Sequence, residues 1–71
     1  MDHELEGMQL AVQLSREATA AGLTVTELVP MPCCGRQEFS VQLWTADNRV
    51  WTEMDHASAG DIREDISSYP R

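Results

Sequence analysis

Cys33 and Cys34 are adjacent in the stretch Pro30-Met-Pro-Cys-Cys-Gly-Arg-Gln37, and with His3 and His56 they complete the chain's supply of thiols and imidazoles. These are the ligand types zinc prefers, but structural zinc sites draw on pairs two to four residues apart. Adjacent cysteines point different ways, and their strained ring disfavours a disulfide between them. Arg36 could lower a neighbouring thiol's pKa, yet redox motifs need the spacing C-x-x-C, which is absent. The reading is therefore one buried and one solvent-facing cysteine, with no metal and no cofactor.

The second constellation is acidic. Glu53, Asp55, Asp61, Glu64 and Asp65 crowd the last third of the chain. Paired carboxylates can exchange protons or bind cations. No EF-hand loop, Ser/His/Asp arrangement or Gly-rich phosphate loop accompanies them, and so short a chain leaves little room for an enclosed pocket. We expect no enzyme. A solvated face is the plain reading, and an electrostatic contact surface for a basic protein is the functional one.

The third constellation is a pair of tryptophans, Trp44 and Trp51, inside Glu38-Phe-Ser-Val-Gln-Leu-Trp-Thr-Ala-Asp-Asn-Arg-Val-Trp-Thr-Glu-Met-Asp55. The period of two in this stretch marks two strands. A two-residue turn at Asp47-Asn48 suits a type I′ hairpin, because both residues tolerate positive φ. It pairs Thr45 with Val50, Leu43 with Thr52, Val41 with Met54 and Trp44 with Trp51, and sets His56 opposite Phe39. A three-residue loop would slip the register by one and bring Glu53 and Asp55 onto the apolar face, which is costly for unpaired carboxylates. The even register predicts Phe39, Val41, Leu43, Val50, Thr52 and Met54 inward. Trp44 and Trp51 then lie on a polar face with Ser40, Gln42, Arg49, Glu53 and Asp55. The plain reading is that the two indoles stack across the strands, or are covered by the first helix or a terminal segment, and stabilise the hairpin; the functional one, from Trp enrichment at binding hot spots, makes that face the candidate contact surface.

The elements that hold this hairpin follow from period and caps. Residues 2–21 read as an amphipathic helix, capped by Asp2 and ended by Gly22, with Leu5, Met8, Leu10, Ala11, Val12, Leu14, Ala18 and Ala21 on one arc. Leu23–Val29 alternates as a strand, which Pro30 and Pro32 terminate. Ser58 and Asp61 form a capping box for a second helix with Ala59, Ile62, Ile66 and Tyr69 on its apolar side, ended by Pro70. The expected fold is α+β, in the order α-β-β-β-α, as one domain over residues 1–71. A small three-stranded antiparallel sheet carries both helices on one face.

Composition bounds the partners. Twelve acidic residues against five basic ones give a net charge of −7 over 71 residues. That balance argues against direct nucleic-acid binding and against anionic membranes, and favours a basic protein partner. No signal peptide or transmembrane stretch is evident, so a cytoplasmic setting is the default. No family resemblance emerges. By size and charge alone the chain is comparable to phage-type inhibitors of nucleic-acid machinery, such as anti-CRISPR proteins and other DNA mimics. The alternatives are a homodimeric assembly subunit, since small cores gain from dimerisation, and a metal- or thiol-dependent protein using Cys33, Cys34 and His56.

Overall fold

In the computed structural model, which describes residues 3–31 and 35–70 and side chains from residue 5 on, the order is α1 (His3–Ala20), β1 (Thr24–Pro30), β2 (Phe39–Trp44), β3 (Val50–Ala57) and α2 (Ala59–Ser68). The strands form one antiparallel sheet in the order β1-β2-β3. Helix α1 packs over β1 and helix α2 over β3, on the same face, with the core between. This is the α-β-β-β-α arrangement expected from the sequence. Asp2, Cys33 and Cys34 lie outside the described residues, as does the His3 imidazole. No described helix is long and apolar enough to cross a membrane.

The helix ends follow their residues. Gly22 has φ +99°, and the amides of Gly22 and Leu23 donate to the carbonyls of Thr19 and Ala18 at 3.0 Å each. This left-handed Schellman end satisfies carbonyls that α1 would otherwise leave open. Helix α2 opens on a full capping box. The Asp61 amide donates to Ser58 Oγ at 3.1 Å, and the Ser58 amide to Asp61 Oδ2 at 3.4 Å. Arg63 on α2 grips Glu17 on α1 through Nε (3.1 Å) and Nη2 (3.0 Å). These hydrogen bonds and the facing charge hold the Arg63 pKa above its ordinary value.

Leu14, Ala18, Phe39, Leu43 and Ile62 are wholly buried, with Val41 and Ile66 beside them. The α1 arc is narrower than its composition suggests. Ala11, Leu14, Ala18 and Ala21 are buried, whereas Leu5, Met8 and Val12 stand 52%, 59% and 50% exposed. Gly7 faces Gln37, whose side-chain amide would lie 2.6 Å from a Cβ at that position. The loop after β1 thus docks closely on α1, and the buried Gln37 Nε2 finds no hydrogen-bond partner among the described residues.

The hairpin departs from the expected two-residue turn. Its loop is Ala46-Asp47-Asn48: the Thr45 amide donates to Arg49 O at 2.7 Å and the Asn48 amide to Thr45 O at 3.1 Å, with Asn48 at φ +64°. A three-residue loop closed by a left-handed residue is a standard hairpin solution. Thr45 stabilises it, since its hydroxyl accepts from the Arg49 amide (3.0 Å) and donates to Asp47 (2.5 Å). The loop slips the register, so Trp44 faces Val50, and a bulge at Trp51 restores it at Leu43–Thr52 and Val41–Met54. A second bulge sets Asp55 and His56 against Ser40, with His56 at φ +60°, so Ala57 rather than His56 lies opposite Phe39. Val50, expected inside, is 47% exposed.

Candidate interaction face of the sheet

Because both helices cover one side of the sheet, its other side is free of helices. Strand alternation places Ser40, Gln42 and Trp44 of β2 there, while Phe39, Val41 and Leu43 are buried on the helix side. A bulge at Thr26 in β1 shifts its phase, bringing Glu27 opposite Gln42 and Leu28 opposite Val41. From β3, Glu53 lies opposite Gln42, and Asp55 reaches Ser40.

Two side chains organise this face. Gln42 Oε1 accepts from Thr26 Oγ1 (2.7 Å) and from the Trp44 indole N–H (3.1 Å), and its Nε2 donates to Glu53 at 2.6 Å. The amide is thereby fixed in orientation, and with it the edge of the Trp44 ring. Ser40 Oγ lies 2.5 Å from Glu27 Oε2 and 2.9 Å from Asp55 Oδ1. A hydroxyl carries one proton, so one of these two carboxylates keeps an acceptor open for an outside donor. Glu27, Ser40, Gln42, Glu53, Met54 and Asp55 line a trough of about 360 Å³. No Arg or Lys occurs in any of the three strands.

Trp51 does not share this face, which corrects the sequence-based placement. Bulged out of the ladder, it packs against the core on the helix side. Its Nε1 donates to the carbonyl oxygen of Asp65 at 2.9 Å, and its ring meets Tyr69 edge-on at a centroid distance of 5.1 Å. The physical reason is the loop. An even two-residue turn would have set Trp51 across from Trp44, but the three-residue loop needs one extra residue on β3 to recover the register, and Trp51 is that residue.

The expected acidic patch divides in the same way. Glu53 and Asp55 belong to the open face with Trp44 and Gln42. Asp61, Glu64 and Asp65 ride on α2, on the far side of the sheet. Asp61 serves the helix cap, and Asp65 Oδ2 accepts from Thr52 Oγ1 at 3.2 Å. Glu64 is exposed. Sequence reasoning placed Ser40 on this face but missed Glu27 and Thr26. A signal was present, since Glu27 has the same parity as Val25 and Val29, and a carboxylate at an apolar position announces a break in the alternation.

Among the described residues, no three His, Cys, Asp or Glu side chains are grouped to hold a metal ion. His56 instead pairs with Glu38, Nδ1 to Oε1, at 3.1 Å. Comparisons with protein-family models, with curated proteins and with solved structures gave no match to this chain, so the functional argument rests on its own residues.

Proposed function

We propose that the chain is a non-enzymatic interaction module whose open sheet face binds a basic protein segment. The observation that supports this reading is one face free of helices carrying Trp44 among Glu27, Glu53 and Asp55, with no Arg or Lys in the strands to neutralise them. Trp44 offers a flat apolar anchor that Gln42 holds in place. The carboxylates offer acceptors to arginine or lysine, and the Ser40 site has one acceptor more than its hydroxyl can serve. Proteins that handle nucleic acid present such basic surfaces, so an inhibitor or regulator that occupies a groove of that kind is the role this face fits. The net charge of −7 adds long-range attraction to the same class of partner.

The experiment is a paired capture assay from host extract with wild type, Trp44→Ala and Glu53→Gln/Asp55→Asn, each repeated with competing duplex DNA and at raised salt. Wild type should retain a basic protein that DNA displaces and that both variants release. Capture that survives both variants, with DNA without effect, would locate any contact surface elsewhere.

A further inference from the structure

Gln42 sits half-buried in the middle of the open face, across from Glu27 on one neighbouring strand and from Glu53 on the other. Trp44 follows two residues later on the same side of β2. The neighbours that bond the Gln42 side chain differ in kind. An indole N–H only donates and an ionised carboxylate only accepts, whereas a side-chain amide accepts at its oxygen and donates at its nitrogen. One orientation of the amide therefore serves both: Oε1 accepts from the Trp44 indole at 3.1 Å, and Nε2 donates to Glu53 Oε2 at 2.6 Å. The reverse orientation would set two donors together at Trp44 and two acceptors together at Glu53. Thr26 does not choose between them. Its hydroxyl lies 2.7 Å from Gln42 Oε1 and 3.2 Å from the Gln42 main-chain oxygen, and it can donate to either.

We infer that Gln42 is the positioning residue of this face, coupling the Trp44 ring to the Glu53 carboxylate so that the two form one unit. A glutamine side chain is among those that lose most rotamer freedom when fixed. Here bonds within the chain fix it before any partner arrives, which pre-organises the ring and the carboxylate together. A carboxylate has acceptor sites for several donors, so Glu53 can hold Gln42 and an outside cation at once. The use of this unit in binding rests on the open face being the contact surface; the coupling of Trp44 to Glu53 does not.

Proton–nitrogen correlation spectra of the full chain test the coupling, because its two tryptophans give two indole N–H signals. Trp51, bonded to the Asp65 carbonyl on the helix side, is the internal reference, and Trp44→Phe assigns the pair. Glu53→Ala removes the acceptor of Gln42 Nε2 and should move the Trp44 signal while the Trp51 signal stays in place. Glu53→Gln removes the same charge but keeps an oxygen for Nε2, so the Trp44 signal should stay close to its wild-type position. Gln42→Leu, a neutral replacement of similar size, should move the Trp44 signal furthest. It should also weaken binding of an octa-arginine peptide about 2- to 10-fold, the effect of losing a hydrogen bond.

A Trp44 signal that ignores Glu53→Ala, or that moves as far in Glu53→Gln, overturns the coupling. So does movement of both indole signals together, which marks a general loosening of the hairpin. Octa-arginine binding left unchanged by Gln42→Leu overturns the pre-organisation. If octa-arginine fails to bind wild type, the reading of this face as a site for basic segments falls, and the indole signals still decide the coupling.

Discussion

Trp44 and Trp51 are seven positions apart in one hairpin, and the fold puts them to opposite uses. Each is half-buried. Trp51 is closed in by its own chain: the indole N–H is bonded to the Asp65 backbone, the ring rests against Tyr69, and the body packs on the core. The Trp44 indole N–H donates to the Gln42 side chain, and among the described residues neither helix lies on that side of the sheet. Exposure alone therefore does not separate a docking residue from a packing residue. Each indole N–H already has an acceptor, so what separates them is packing: of the two, only Trp51 lies against the core and an aromatic neighbour.

The largest expected effect breaks the Trp51 side of this comparison. Trp51→Ala removes the ring that joins β3 to α2, and should cost about 2–3 kcal/mol of stability. In a domain this small that corresponds to a fall of roughly 10–20 °C in Tm, readable by thermal melting. Trp44→Ala should do the reverse: stability changes by under about 1 kcal/mol, while affinity for a basic partner falls by about 2 kcal/mol. Equal losses of stability in the two variants would erase the distinction. Next comes the loop that creates it. Thr45→Ala deletes the hydroxyl that accepts from the Arg49 amide and donates to Asp47, so unfolding in urea should show a loss of about 1 kcal/mol with an unchanged m-value. The smallest effect sharpens the Trp44 side. Glu53→Gln and Asp55→Asn should each weaken partner binding about two- to threefold and flatten its salt dependence, as exposed charges do. Titration of single-tryptophan proteins with the partner completes the contrast, since Trp44 emission should shift and Trp51 emission should not.

Much of the architecture was legible. Gly22 as the end of α1, the Ser58–Asp61 box, and the inward set Phe39, Val41 and Leu43 all rest on contacts within a few residues or on strict alternation, and each stands in the structure as read. The site was half legible. Trp44, Gln42, Glu53 and Asp55 were placed together on one face, and they are together. Trp51, Asp61, Glu64 and Asp65 were joined to them, and they lie on the other side. Val50, Trp51 and His56 were misplaced for one reason: parity is carried along a strand only as far as the first bulge. Three bulges, at Thr26, Trp51 and Asp55–His56, reset it.

Residue order by itself determined the number and type of elements, the Gly22 end of α1, the Ser58–Asp61 cap of α2, the acidic balance and the absence of Arg and Lys from the strands, because those properties are local or additive. The partition of side chains between the faces was decided only in three dimensions. A three-residue loop held by Thr45, Asp47 and Asn48 competes with the even register that core packing demands. The bulge at Trp51 reconciles the two, which fits α2 over one indole and leaves the other uncovered.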